Sequence, residues 1–431
     1  MALQEHIRNS YTAILKEELL VAMGCTEPIA IAYAASILRR TLDAVPQRIS
    51  AKFSGNIIKN VKSVIVPATG GLHGLEAAIS AGIVAACPER VLEVLTVLTP
   101  DDQVTIRSFL ENCEFSIEEM ESDHAFDLEL NGYANGASAS VRITGNHTNV
   151  VSVTKGDADI TGDYAHGCYQ ETKSVTDRSV LNVEDILAFA NETPLEELQP
   201  LLERQIEMNM AIAEEGIQGS YGACIGKVLY QDGKASLRDK ARAYAAAGSD
   251  ARMSGCELPV GILSGSGNQG ITASVPVVVY ARELGKTHEE LLRALLVSDL
   301  ITIHQKTGIG CLSAYCGAIS AGCGCGAGIC YLLGGDYHAI AHTLVNAVAI
   351  LSGTICDGAK PSCAAKIAMA VEAGIMGYEM TKAGCQFYGG DGIITKGVEN
   401  TIRNIGRLAR EGMSETDKEI IRIMLEKPEC R

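Results

Sequence analysis

The 431-residue sequence contains no tryptophan and only six phenylalanines. A large core must therefore be filled by Ala, Gly, Val and Ile, which suits helices that approach closely. Runs of basic residues are also absent, and the formal charge is −16. Nucleic-acid binding depends on neutralising phosphates with Lys and Arg, so it is not expected here. The opening MALQEHIRNSYTAILKEELL is charged and lacks the basic-then-apolar pattern of a secretory signal. A cytoplasmic protein is expected. Thr307 to Gly335 carries no charge, which raises a membrane span. Frequent Gly, Ser and Cys, and the lack of an aromatic or basic girdle, read instead as a buried helix pair.

Cysteine is abundant, with fifteen residues. Without a secretory signal these thiols should be reduced rather than paired in disulfides. They are either small core residues or, in part, metal ligands. The length allows two or three domains.

Helical spacing begins at Ile7–Val21, breaks at MGCTEP, and resumes over Pro28–Leu42. From about Ser50 the texture becomes β-rich, in ISAKFSGNIIKNVKSVIVP and VRITGNHTNVVSVTKG, with GLHGLEAAISAGIVAACPE between them as a helix. From Val183 onward nearly every segment has a helical pattern. The expected fold is α+β. Residues 1–45 and 180–431 form a large all-helical domain, and 46–179 form a smaller inserted α+β domain.

Several stretches can carry chemistry. In MGCTEPIA, Thr26 reads as an N-cap and Pro28 as first-turn proline. Cys25 then lies beside a helix N-terminus, whose partial positive charge favours a thiolate. A buried small residue is the equal alternative. In GTICDGAKPSCAAKIA, Asp357-Gly358 is a turn and Pro361-Ser362 starts a helix. Cys356 and Cys363 flank that turn, seven residues apart. This is not the C-x-x-C of a zinc knuckle. It suits ligands delivered by separate elements to a cluster of several metal atoms, with Cys363 as a packed helix-face residue the alternative. In GCLSAYCGAISAGCGCGAGIC, Cys316, Cys323 and Cys330 share a helix face. Most cysteines there read as substitutes for Ala, and Cys316, near the TGIG loop, is the ligand candidate.

SGSGNQG matches G-x-G-x-x-G through Gly265, Gly267 and Gly270. The chain continues from there as more helix, not as a second parallel strand ending in an acidic residue, so NAD is not expected. Successive N–H groups at Ser266, Gly267 and Gly270, with the amides of Asn268 and Gln269, instead make a nest for an anion such as a carboxylate. Other turns are rich in polar groups: Asn56, Lys59 and Asn60; Thr69; Asn146 to Asn149; Asp250 and Arg252. Arg252 suits a substrate carboxylate or pairs with Asp250.

Together GCTEPIAIA, GNIIKN, GNHTN, SDARM, GSGNQGITASVPVV, LSAYC and ICDGAKPSCAAKIA closely resemble the iron–sulfur L-cysteine desulfidase family, related to the alpha chain of iron–sulfur L-serine dehydratases. The resemblance runs from Cys25 to about Lys366. It implies a [4Fe–4S] cluster held by three cysteines with one iron open to substrate. By motif these are Cys25, Cys316 and Cys356, with Cys363 in reserve and the penultimate Cys430 a remote fourth; Cys311 matches no motif position. The implied activity is a lyase reaction without pyridoxal phosphate, taking L-cysteine to pyruvate, ammonia and sulfide. An L-serine dehydratase is the alternative, and a non-enzymatic thiol-rich metal-binding protein the further one. The substrate carboxylate would lie at Ser266–Gly270, with Asn56, Lys59 and Arg252 nearby, and His147 or Lys59 would take the α-proton. The partner is a small amino-acid substrate; a homodimer is admitted but not required.

Overall fold

A computed structural model describes residues 3–164, 176–230, 235–310 and 313–425. Cys311 and Cys430 lie outside the described residues. The fold is α+β and mostly helical.

One hydrophobic core joins the N-terminal helix Glu5–Glu18 to the helices beyond residue 180. Its centre is built from Gly267–Glu283, His288–Ile309, Gly317–Leu332, Tyr337–Leu351 and Cys363–Lys382. Their starts are written in the sequence. Thr287 and Glu290 form a reciprocal capping box, and the Asp336 carboxylate accepts from the Ala339 N–H. The scarcity of aromatics has its counterpart in how closely these helices cross. A Cβ on Gly326 would lie 2.6 Å from the Gly374 carbonyl oxygen, and one on Gly322 would collide with that of Ala370. Helices 317–332 and 363–382 thus meet backbone to backbone, which only glycine permits.

A second core holds a six-stranded sheet ordered Glu114–Met120, Arg48–Ser54, Asp127–Ala134, Ala137–Thr144, Val150–Lys155 and Ala158–Asp159. The first pair is parallel and the rest antiparallel. Helices Thr26–Leu42 and Leu75–Ala85 belong to it. The helix 26–42, grouped by sequence with the helical domain, therefore gives its apolar residues to the second cluster, and the cores divide between Ala22 and Ile29.

GNIIKN, expected within a β-rich run, forms the helix Gly55–Val61. Ile57, Ile58 and Val61 are all buried, and their spacing suits one helical face better than an alternating strand. The helix at the glycine-rich segment begins at Gly267, so Gly267 and Gly270 are part of its first turn. The uncharged stretch 307–335 includes the end of the helix His288–Ile309 and the helix Gly317–Leu332. Among the described residues no helix is long and apolar enough to cross a membrane.

Within the first core, strand Leu20–Met23 pairs antiparallel with Pro259–Ile262. Helix Ser414–Leu425 packs on helix Gly55–Val61, where the carboxylate of Asp417 pairs with the buried ammonium of Lys59.

Candidate active site

Four helices begin at one cavity. Cys25 is the N-cap of Thr26–Leu42, Ser266 of Gly267–Glu283 and Cys316 of Gly317–Leu332; Cys363 is the first residue of Cys363–Lys382. None of these starts has a side-chain cap. Unpaired N–H groups and aligned peptide dipoles leave positive potential at each end. The cap at the first is Cys25 itself, one residue before the expected Thr26.

The cavity has a volume of about 410 Å³, large enough for a small metabolite. Although the chain carries a charge of −16, five cations (Lys59, Arg178, Arg252, Lys306 and Lys366) and three carboxylates (Glu17, Glu18 and Glu27) line it. The wall thus favours anionic occupants.

Three of the expected thiols meet on one side. The chain pairs Tyr315 with Ile355 in an antiparallel bridge, with the Cys316 N–H donating to Thr354 O and the Cys356 N–H to Ala314 O. This sets Cys316 beside Cys356, and their thiols share a hydrogen bond. That bond lowers the pKa of Cys356, supported by the charges of Lys59 and Lys306, while Cys316 keeps the proton and is pushed well up. Cys363 stands close enough to interact electrostatically with both. Burial raises its own pKa. Cys25 lines the same cavity from the side of the second core. Its Sγ donates to Glu27 Oε2 at 3.1 Å, and burial, then the Glu27 charge, hold the thiol protonated.

The turn between Cys356 and Cys363 is fixed at both ends. Asp357 is gripped by Lys360 and Lys366, which outweigh its burial and hold its pKa at about 2. Gly358 has φ +93°, and a Cβ there would collide with the Lys59 carbonyl oxygen. The thiol turn is thereby seated directly on helix 55–61.

On the same cavity wall, Ser264 and Gly265 both adopt left-handed backbone, φ 48° and 75°. They close a turn in which Leu263 and Ser266 exchange backbone hydrogen bonds at 3.1 Å. The chain then enters the uncapped helix at Gly267. Strand 259–262 before this turn is antiparallel to its partner, so it is no parallel β-α-β dinucleotide unit. Ser266, Asn268 and Gln269 line the cavity. Gly270 instead packs against the Gly261 carbonyl, and Gly267 against Arg252 and Val260. Asn56 is not among the lining residues.

His147 and Glu27 lie on the wall from the second core. His147 packs against Phe126 in a tilted arrangement with ring centroids 4.6 Å apart, and burial lowers its pKa against the pull of Glu27. Its Nε2, Asn268 Oδ1 and Gln269 Oε1 are buried without a partner. Such atoms converging on one cavity mark a place for a ligand. Glu27 is buried, which works against its charge, but His147, the Cys25 thiol and backbone hydrogen bonding hold it ionised. Arg252 donates to Gly24 O at 3.0 Å, and Asp250 accepts from Gly226 N, so the two do not pair. Thr69 spends its hydroxyl on the Val66 carbonyl in its own turn.

Among the described residues no three His, Cys, Asp or Glu side chains are gathered around a single-ion position. A multi-metal cluster spreads its thiolates over several iron atoms. Thiols from separate segments, on a cationic wall at helix N-termini, match that donor chemistry.

A family model described as the serine dehydratase alpha chain matches residues 89–422. That span includes Cys316, Cys356, Cys363 and His147, and begins after Cys25, Glu27 and Lys59. A UPF0597 protein of Desulfitobacterium hafniense is 53% identical over 427 residues, 99% of this chain and 98% of its own. Others from Finegoldia magna and Treponema denticola are 48% and 44% identical, covering 97% and 99% of this chain and 100% of their own.

Proposed function

Because this chain belongs to the serine dehydratase alpha-chain family, we propose that it is a lyase acting on a small L-amino acid, with L-cysteine as substrate and pyruvate, ammonia and sulfide as products. The observation that carries this reading is the meeting of Cys316, Cys356 and Cys363, two of them at helix N-termini, on the wall of a cavity that an uncapped glycine-rich turn also lines.

Cys316 and Cys356 would hold a [4Fe–4S] cluster with a third thiol. Cys363 is favoured by its nearness to the pair, and Cys25 faces them across the cavity. When bound, the cluster supplies a Lewis-acidic iron that makes sulfide a better leaving group without change of redox state. The protein's own residues do the rest. The turn at Ser264–Ser266 and the first N–H groups of helix 267–283 receive the substrate carboxylate. Arg252, behind Gly267, adds charge to that end.

His147 takes the α-proton at Nε2. Its lowered pKa leaves the imidazole neutral and able to accept at neutral pH. Lys59, the other candidate, is engaged by Asp417 and contributes a fixed positive charge beside the thiols. As the C–H electrons form the Cα=Cβ bond, sulfide departs from Cβ. The aminoacrylate leaves the site, tautomerises to the imine and takes up water to give pyruvate and ammonia. This route uses neither pyridoxal phosphate nor NAD.

Anaerobically purified, iron-replete protein should be brown and should release sulfide, pyruvate and ammonia from L-cysteine in equal amounts. Family membership favours one other reading, an L-serine dehydratase with the same elimination and hydroxide as leaving group. Pyruvate from serine with no sulfide from cysteine would select it.

A further inference from the structure

A zwitterionic substrate needs a holder for its ammonium group as well as its carboxylate. Of the three carboxylates lining the cavity among the described residues, two are already spent. Glu17 and Glu18 both pair with Arg178, at 2.5 and 2.8 Å. Glu27 is different. It is 8% exposed, on the first turn of helix 26–42. Its Oε1 accepts from Asn60 Nδ2 at 2.9 Å, and its Oε2 from the Cys25 thiol and the Thr26 hydroxyl, both at 3.1 Å. None of these donors is a cation. The backbone N–H of Glu27 itself is a further neutral donor, so the carboxylate is hydrogen-bonded without being ion-paired. A buried carboxylate without a hydrogen-bonded cation is costly, and a ligand that brings one removes that cost.

Its position is also right for an α-amino acid. The Thr26 hydroxyl touches both Glu27 Oε2 and, at 3.2 Å, the carbonyl oxygen of Gly265. Glu27 is therefore one side chain away from the turn that receives the carboxylate. His147 adjoins the same turn, with Cε1 4.0 Å from where a Cβ of Gly265 would lie. Carboxylate holder, ammonium holder and base thus adjoin one turn of the cavity wall.

We propose that Glu27 binds the α-ammonium group of the substrate and so restricts the site to amino acids, excluding acids of the same length that lack the amine. This rests on the lyase reading above. The test compares L-cysteine with 3-mercaptopropanoate, which keeps the thiol and carboxylate and lacks only the amine, in iron-replete protein. Glu27→Gln should raise the KM for L-cysteine at least about 10-fold, the worth of one hydrogen bond between charged groups. The inhibition constant of 3-mercaptopropanoate should stay within about 3-fold. Glu27→Asp, which keeps the charge, should recover part of the loss.

An unchanged KM, or equal weakening of both compounds with intact iron content, would overturn the proposal; the second result would make Glu27 a support for the helix start. Should Glu27→Gln fail to load iron, the wild-type protein decides. Calorimetry should show L-lactate, with hydroxyl in place of amine, binding at least about 10-fold more weakly than L-alanine, and equal affinities would refute the assignment. Wild-type protein that turns over no amino acid at all removes the lyase reading itself, which the Glu27 variants alone cannot do.

Discussion

Two groups of cysteines share the helix Gly317–Leu332 and its approach, and they have opposite chemistry. Cys323, Cys325 and Cys330 lie inside the helix, fully enclosed, and burial pushes their thiols up, to about 12 for Cys323 and about 11 for Cys330. Cys316, at the N-cap of the same helix, meets Cys356 from another segment, and that contact makes Cys356 the easier thiol to ionise. Residue type is the same throughout. What differs is whether the chain ends a helix there and brings a second thiol and a cation to it. Interior sulfurs fill volume beside Gly322 and Gly326, while terminal ones face donors and space.

The strongest break of this comparison is Cys356→Ala. Turnover and visible absorption should vanish together in anaerobically reconstituted protein. A thiol store with many sites would instead lose only part of its iron, measured per chain. Next comes Gly358→Ala, which forces a left-handed residue and a collision with the Lys59 carbonyl. A loss on the order of 3 kcal/mol is expected in denaturant unfolding of the apoprotein, with iron content falling alongside it. The third is chemical. At pH 6 an ordinary thiol is protonated, whereas one with a lowered pKa is partly thiolate, the form that alkylates. Iodoacetamide at that pH should label Cys356 of the apoprotein well before Cys323 or Cys325, read by peptide mass spectrometry. Equal labelling would erase the distinction between the groups. The smallest effect belongs to Cys323→Ala. Iron content and turnover should be unchanged, with about 1 kcal/mol lost to the cavity left behind.

Much of this site was legible in the sequence. SGSGNQG announced a turn rich in N–H donors, and CDGAKPSC a tight turn between helices, because Gly, Asp and Pro carry their conformations locally. Cys363, a reserve ligand by motif, stands next to Cys316 and Cys356 in the fold. That nearness comes from the Tyr315–Ile355 bridge, a contact with no local signature. Glu27 carries no signal in the sequence, because an acidic residue in the first turn of a helix is ordinary; only its surroundings, Asn60 and the turn at Gly265, make it unusual. Lys59 was seen as a base because its partner Asp417 lies 358 positions along the chain. GNIIKN was read in the company of its β-rich flanks, and tertiary burial of one helical face decided otherwise.

The pairing of Lys59 with Asp417 sets an order of events during synthesis. The ribosome delivers Lys59 early and Asp417 only after nearly every other described element has emerged. Until then the lysine has no counterion and the wall it supports is unfinished. The thiol-lined wall is therefore complete only once translation is almost over, long after Cys25 has left the ribosome.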